Sequence, residues 1–199
     1  MNIDDYKTYI SAETMMGPNS VRVLAELIDK YPLQLLPDDV ILDLGCGTGV
    51  TSLIIAKETG ARVFANDLWV SAEENGKRFA EWGIGEQITP ICENANNHDG
   101  VVLIGIPGLK DEYTGHAEEL LSDWLGDDSY MFKSPKLWKE LIGDSDRIEL
   151  VKTWEMDCFN KAWEDWLATN KKFALGDKQH FEAIIKPYTC FVGIYIKLK

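Results

Sequence analysis

The sequence predicts an α/β domain with a doubly wound, mostly parallel sheet, and three features of residues 40–106 predict it. A short apolar run, Val40–Leu44, leads into a turn with glycine at every second position. A second run at residues 61–65 is followed by an acidic residue, and a third run lies at residues 87–92. Helix-like stretches separate the runs. Because parallel neighbours need a crossover that usually contains a helix, this alternation indicates a parallel sheet covered on both faces.

The glycine-rich turn after the first strand predicts a ligand-binding site. Gly45, Gly47 and Gly49 allow the main chain to approach a ligand without interference from a Cβ atom. The helix that starts near Val50 directs its free amide groups toward the same place. A dinucleotide fingerprint requires its third glycine where Val50 stands, so the spacing does not favour a dinucleotide.

An acidic residue follows the second predicted strand. Asn66 and Asp67 lie at its carboxyl end, where open α/β sheets bind ligands, and the Asp67 carboxylate can accept bonds from both hydroxyls of a ribose. The alternative is a tight turn without a ligand and an aspartate that only caps a helix. The order of glycine turn, helix, strand and acid favours the ligand site.

Local signals place the remaining elements. Asn19 is the expected N-cap of a helix that follows a short N-terminal helix and a loop, and the capping box of Ser71 and Glu74 opens another helix. Pro90 places the third strand toward the edge of the sheet. Beyond residue 108 we expect helices at 117–125, after Ser134-Pro135, at 159–169 and at 179–185, and strands at 147–154 and 190–198.

Composition limits the class of protein. The 199 residues suit a single domain, 1–199, with an N-terminal helical cap at 1–36 and a helical insert at 109–146. A formal net charge of −13 disfavours a nucleic-acid partner, because phosphate contacts need clustered Lys and Arg. No stretch reaches the roughly 20 apolar residues of a membrane span and no signal-peptide pattern opens the chain, so we expect a cytoplasmic protein without a membrane partner. The four cysteines are scattered, and no metal site is expected.

Residues 37–106 resemble the class I S-adenosylmethionine (SAM) methyltransferases. The resemblance rests on Asp43 followed by Gly-x-Gly-x-Gly and on Asp67 after the next strand. It implies a Rossmann-like fold with an antiparallel C-terminal strand, SAM as cofactor and a small-molecule acceptor. It implies that Gly45, Gly47 and Gly49 contact the methionine part of SAM and that Asp43 meets its amino group directly or through water. It places Asp67 at the ribose and Leu68 at the adenine face. Asn94 and Ala95 stand where the family has Asp-Ala, so Asn94 either accepts a bond at the adenine edge or is an ordinary polar turn residue.

One strand of the resembled fold has no counterpart in the sequence. The run from Gly100 to Pro107 resembles the fifth strand of the family, yet it follows the third strand almost directly. Without a fourth strand, the first strand would bury unpaired backbone groups, each at a cost of about 1 to 3 kcal/mol. We therefore expect that the chain lacks a segment between about Asn96 and Gly100 and that the α-carbon spacing is broken there.

The sequence leaves the catalytic residues and the acceptor open. Among the three histidines, His116 is the candidate for a general base because it lies just past the fifth strand of the family, and the alternative is a solvated loop histidine. The insert suggests an amine acceptor, held by aromatic rings and carboxylates, or else a solvated acidic face over core tryptophans. The residues of this candidate cage are Tyr113, Trp124, Tyr130 and Trp138 with Asp111, Glu112, Asp127 and Asp128.

The expected function is methyl transfer from SAM to a small molecule by in-line displacement. Two alternatives stay open: another reaction on the same fold, such as cyclopropanation or aminopropyl transfer, and a SAM-binding module without turnover. Soft apolar side chains beside a Gly-Pro pair at residues 15–19 predict that the N-terminal segment covers the site, together with the insert.

Overall fold

The structure is a computed structural model that describes residues 1–31, 36, 38–92, 100–143 and 145–199. It contains two three-stranded sheets with helices packed around them. The strands are β1 (Val40–Leu44), β2 (Arg62–Asn66), β3 (Ile88–Ile91), β4 (Val101–Leu109), β5 (Ile148–Glu155) and β6 (Thr189–Leu198). The helices are α1 (Ser20–Lys30), α2 (Val50–Thr59), α3 (Ala72–Glu81), α4 (Ala117–Leu125), α5 (Pro135–Ile142), α6 (Phe159–Leu167), α7 (Lys172–His180) and the short α8 (Lys186–Tyr188).

The first sheet is parallel and has the order β1-β2-β3. Val40 pairs with Arg62, and Val63 pairs with Ile88. β3, which contains Pro90, lies at the edge of this sheet, as the sequence predicts. Helices α2 and α3 are the crossovers, and they bury Leu53, Ile54 and Phe79 in the same core as the inner residues of β2. The predicted doubly wound α/β architecture is confirmed here.

The second sheet is antiparallel and has the order β4-β6-β5. The central strand β6 pairs along its length with β4, from Thr189 against Leu109 to Lys197 against Val101. It also pairs with β5 on its other side. The predicted antiparallel C-terminal strand is thereby confirmed. Aromatic side chains of α6 fill the core over this sheet, with Trp163 and Trp166 both buried.

Within the described residues, β1 and β4 are both edge strands. There, β1 pairs only with β2, and β4 pairs only with β6. The side chains of β1 alternate between exposed and half-buried, and Leu44 is 64% exposed although the strand is almost wholly apolar. The edge position of β1 within the described residues is what the predicted absence of a strand between β1 and β4 would leave. The expected chain break at Asn96 to Gly100 falls mostly on residues outside the described part of the chain.

Several element boundaries differ from the sequence predictions. The N-terminal helix is a short 3₁₀ turn, Ile3–Tyr6, whose Tyr6 hydroxyl donates a hydrogen bond to Glu58. The helix predicted at 179–185 was wrong in extent, because α7 begins at Lys172 and continues through a π-helical turn, Phe181–Ile185. Its missed first part contains a glycine and exposes Phe173, so no apolar helical stripe marks it in the sequence.

Candidate cofactor site

The glycine-rich turn is tied to the end of the neighbouring strand. The amides of Gly45 and Cys46 both donate hydrogen bonds to the carbonyl of Asn66, at 2.8 and 3.0 Å. Gly45, Gly47 and Gly49 have φ values of 76°, 55° and 83°, in the left-handed region that favours glycine. The sequence between β1 and α2 therefore adopts a sharp turn at the carboxyl edge of the first sheet.

The three glycines of this turn face different surroundings. A Cβ atom on Gly45 would meet nothing within 4 Å, and one on Gly47 would lie 3.3 Å from the Sδ atom of Met16. A Cβ atom on Gly49 would lie 2.4 Å from the ring of Phe79. Gly49 is thus required by helix packing inside the protein. The space beside Gly45 is open to a ligand, whereas the space beside Gly47 is occupied by Met16.

Asp67 closes the turn from the end of β2. It is only 6% exposed. Its Oδ2 accepts a bond from the Gly47 amide at 2.8 Å, and its Oδ1 accepts bonds from the Trp69 and Val70 amides at 2.8 and 2.9 Å. The carboxylate therefore shapes the glycine turn as well as lying where a ribose is expected. Its next neighbours, Leu68 and Trp69, are 71% and 88% exposed, so their apolar surfaces are open to a flat ligand.

Two residues of α3 brace the turn from behind, and the sequence analysis missed them. The Asn75 side-chain amide donates a bond to the Gly47 carbonyl at 3.0 Å, and Asn75 is almost fully buried. Arg78 donates to the Thr48 carbonyl at 3.3 Å and also to the Oδ1 of Asn75. Both backbone groups of Gly47 are consequently held by side chains. Their spacing on α3 carries no signal of this contact, because it depends on how α3 packs against the turn.

Asp43 lies at the end of β1, beside the first turn of α2. Its Oδ2 accepts a hydrogen bond from the Thr51 hydroxyl and another from the Ser52 hydroxyl, each at 2.7 Å. Burial raises the pKa of the Asp43 carboxyl, the two hydroxyl bonds lower it, and the nearby charge of Asp67 raises it further. The net result is a pKa above the usual range for an aspartate.

The thiol of Cys46 lies within the same turn. Burial first, and then the charges of Asp43 and Asp67, raise the pKa of this thiol to about 12. The thiol therefore stays protonated at neutral pH. Since only the thiolate is strongly nucleophilic, Cys46 is a poor target for an alkylating ligand held in the turn.

The N-terminal segment covers the glycine turn. A cavity of about 140 Å³ lies between residues 10–21 and the turn. The Thr48 hydroxyl donates to the carbonyl of Thr14 at 2.7 Å, and Lys171 donates to the carbonyl of Met15 at 2.7 Å. Asn19 is the N-cap of α1, as predicted, and its side chain also donates to Asp165 at 2.8 Å. Residues 14–19 thus form a strap that is anchored both to the turn and to helices α6 and α7.

Three of the predicted site residues need separate mention. Asn94 and Ala95 lie outside the described residues. His116 is the N-cap residue of α4, where its Nδ1 lies 3.1 Å from the exposed carboxylate of Glu119. It does not line the cavity at the glycine turn. The structure therefore brings Asp43, the glycines and Asp67 together but does not place His116 among them.

The aromatic residues of the candidate cage do not form a single site, which agrees with the alternative of core tryptophans in the insert. Trp124 donates its indole N–H to Asp177 at 3.0 Å within the aromatic core, and Tyr113 packs edge-to-face on Tyr188. Trp138 packs in another core cluster, below β6. Tyr130 is exposed, with the Lys133 ammonium 5.7 Å from its ring centre. Trp124, Tyr113 and Trp138 pack in three different clusters and Tyr130 lies at the surface, which residue type alone does not reveal.

Comparison with solved structures identifies the fold. Geranyl diphosphate C-methyltransferase from Streptomyces coelicolor is 15% identical, with a TM-score of 0.66 over 89% of this chain and 80% of that chain. A putative sarcosine dimethylglycine methyltransferase from Galdieria sulphuraria is 15% identical, with a TM-score of 0.68 over 89% and 86% of the two chains. A SAM-dependent methyltransferase from Geobacter sulfurreducens is 15% identical, with a TM-score of 0.64 over 97% and 98%. The chain has the class I SAM methyltransferase fold.

The resemblance inferred from residues 37–106 is therefore confirmed at the level of the fold. The Streptomyces and Geobacter proteins were both crystallised with S-adenosylhomocysteine. No protein-family model and no curated protein sequence matches the chain. Within the described residues, no helix has the length and apolar character to cross a bilayer, and no group of three or more His, Cys, Asp or Glu side chains could hold a metal ion.

The residues of the methyltransferase-fold site fit SAM chemically. SAM carries an ammonium group and a sulfonium, and carboxylates such as those of Asp43 and Asp67 stabilise positive charge. Gly45 leaves open the backbone surface that a Cβ atom would fill. The cavity beside the turn is lined by Met16 and other residues of the strap and by residues 45–48 of the turn.

Proposed function

We propose that the chain is a SAM-dependent methyltransferase that acts on a small molecule. The observation that carries the proposal is the turn itself: Gly45 leaves backbone surface open to a ligand, and the buried Asp67 carboxylate holds the turn through the Gly47 amide. The fold shared with SAM-dependent methyltransferases supports the same conclusion. A net charge of −13 supports a small-molecule acceptor rather than a nucleic acid.

In this proposal each residue has a role that follows from its position. Gly45 and Gly47 lie against the methionine part of SAM, Asp43 receives the ammonium group, and Asp67 receives the ribose hydroxyls. Leu68 offers an apolar surface to the adenine. We also propose Asn94 and Ala95 as contacts to the adenine edge.

The reaction asks little further of the protein. SAM, when bound, supplies a methyl group whose carbon is already activated by its bond to the sulfonium sulfur. The protein then contributes by aligning the acceptor, and such positioning is worth roughly 7 to 11 kcal/mol in well-oriented intramolecular reactions. We propose that the strap at residues 14–19, part of the cap at 1–36, and the insert at 109–146 exclude water from the aligned pair. His116 is the candidate for a general base. Because it does not line the cavity at the glycine turn, the insert would have to move to bring it to the acceptor.

The candidate classes of methyl acceptor come from two proteins of similar structure. One neighbour in structure is described as acting on geranyl diphosphate and another as a putative sarcosine dimethylglycine methyltransferase. An amine acceptor remains a candidate on the second comparison, although the cage expected for it is not assembled. An enzyme of other chemistry on this fold, or a binding module, would also bind SAM at this turn.

The test is methyl transfer from SAM labelled in its methyl group, with the purified protein and pools of small amines, carboxylic acids and prenyl diphosphates. We expect label in one pool and stoichiometric S-adenosylhomocysteine. A control with Asp67→Ala separates enzymatic transfer from non-enzymatic methylation. Binding of SAM without transfer to any pool would favour the module. Formation of 5′-methylthioadenosine and an aminopropylated amine, when decarboxylated SAM is supplied as the donor, would favour aminopropyl chemistry.

A further inference from the structure

Two consecutive hydroxyl groups converge on one oxygen of Asp43. Thr51 and Ser52 lie in the first turn of α2, and both donate to Oδ2 at 2.7 Å. Ser52 is completely buried, so its hydroxyl has no competing water. Neither residue lines the cavity beside the glycine turn. The two hydroxyls therefore act on Asp43 from the first turn of α2.

This arrangement leaves the two oxygens of the carboxylate in different states. Oδ2 is saturated by two hydroxyl donors, whereas Oδ1 accepts no hydrogen bond within the described residues. A carboxylate fixed through one oxygen cannot rotate freely, because rotation would break two good hydrogen bonds. The second oxygen is consequently held in one orientation with its lone pairs unused.

The titratable groups that face Asp43 make this support necessary. Asp67, at the end of β2, is a second carboxylate, and the Cys46 thiol in the turn is neutral because its pKa is raised to about 12. Burial and Asp67 both favour the protonated form of Asp43, while the Thr51 and Ser52 hydroxyls favour the ionised form. Without the hydroxyls, nothing among these neighbours would favour the charge.

We propose that Thr51 and Ser52 are positioning residues which orient the Asp43 carboxylate through Oδ2, so that Oδ1 receives the ammonium group of SAM. This inference rests on the proposed function. The competing explanation is that Asp43 only ties β1 to the first turn of α2. The two explanations differ in one respect: a tie between elements has no reason to depend on the charge of Asp43 when SAM binds.

The test is calorimetric titration of SAM between acidic pH and neutrality, with wild type, Thr51→Val, Ser52→Ala, the double variant and Asp43→Asn. Affinity for wild type should be constant near neutrality and fall as Asp43 takes up a proton, by about tenfold for each pH unit below the midpoint. Loss of the hydroxyls should move this midpoint to higher pH. Asp43→Asn should bind weakly and without this pH dependence. Thr59→Val is the matched control, because the Thr59 hydroxyl bonds to the Ile55 carbonyl at the far end of α2.

A second measurement does not require SAM. The carboxyl carbon of Asp43 can be followed by ¹³C NMR, and its titration midpoint should rise in each single variant, which keeps the test valid if the double variant does not fold. Equal midpoints in wild type and variants, with SAM still bound by wild type, would overturn this inference and leave the proposed function standing. Wild type that binds no SAM at any pH would overturn the proposed function and the inference together.

Discussion

Replacement of Asp67 by alanine should reduce SAM affinity and fold stability for separable reasons. In the absence of ligand, the carboxylate accepts hydrogen bonds from three backbone amides, those of Gly47, Trp69 and Val70. A typical intramolecular hydrogen bond contributes about 0.5 to 1.5 kcal/mol, so the three together should contribute about 1.5 to 4.5 kcal/mol to the free energy of unfolding. Denaturant unfolding of Asp67→Ala measures this part.

The ligand part rests on the ribose hydroxyls. A hydrogen bond to a charged group contributes about 1.5 to 3 kcal/mol, so losing even one should weaken SAM binding at least tenfold. Calorimetry with SAM and with its 2′-deoxy analogue distinguishes a ribose contact from general damage to the turn. Wild type should prefer SAM over the analogue, and Asp67→Ala should lose that preference.

The matched control is Glu73→Ala. Glu73 is an exposed carboxylate in the first turn of α3, and it pairs with Lys77 at 2.7 Å. Its loss removes one negative charge near the turn without touching the turn. We expect its unfolding free energy and SAM affinity to stay near those of wild type. If Asp67→Ala bound SAM as tightly as wild type, or kept the preference for the 2′-hydroxyl, the ribose role of Asp67 would be wrong.

Three further predictions follow from the contacts of the turn. Gly49→Ala should destabilise the fold by about 1 to 3 kcal/mol because its Cβ would overlap Phe79. Denaturant unfolding should show that Phe79→Leu partly rescues this loss. If the free-energy changes of the two substitutions simply added in the double variant, this packing account would be refuted. Asn75→Ala removes the side-chain amide bond to the Gly47 carbonyl, so SAM binding should weaken several-fold in calorimetry. Unchanged affinity would mean that the Asn75 bond to the turn has no effect on the site. Thr48→Val removes the bond to the Thr14 carbonyl, so hydrogen exchange in the strap should accelerate, and equal exchange rates would show that this bond does not hold the strap.

The strap also changes how the N-terminal segment should be tested. From sequence alone, deletion of residues 1–18 would be expected to affect turnover more than folding. In the structure, Tyr6 is buried in the core of the first sheet and donates to Glu58. A deletion would expose that core, so a loss of turnover could come either from a less stable fold or from loss of the cover over the site. Point variants of the strap are therefore the better test.

Local signals in the sequence were sufficient for the cofactor side of the fold. The glycine turn, the Ser71 capping box and the acid after β2 each depend on residues close together in the chain, and the structure places them as predicted. Pro90 also correctly indicated an edge strand, because proline cannot donate to a second neighbour. The roles of the individual site residues toward SAM stay predictions.

Long-range packing determined what the sequence could not show. Asn75 and Arg78 lie on α3, but the carbonyls to which they donate belong to the glycine turn before α2. The hydrogen bond from Trp124 to Asp177 likewise joins the insert to α7. Neither contact is marked in the sequence by a repeating pattern or a characteristic spacing. The start of α7 was missed because Phe173 is exposed on it, so its sequence lacks an apolar face.

The most direct test of the central claim is a pair of calorimetric titrations of the wild-type protein, one with S-adenosylhomocysteine and one with NAD. We expect one molecule of S-adenosylhomocysteine to bind per chain, with affinity reduced in Asp67→Ala, and we expect no binding of NAD because Val50 stands where a dinucleotide site needs glycine. Binding of NAD, or no binding of S-adenosylhomocysteine at saturating concentration, would contradict the assignment of the glycine turn as a SAM site.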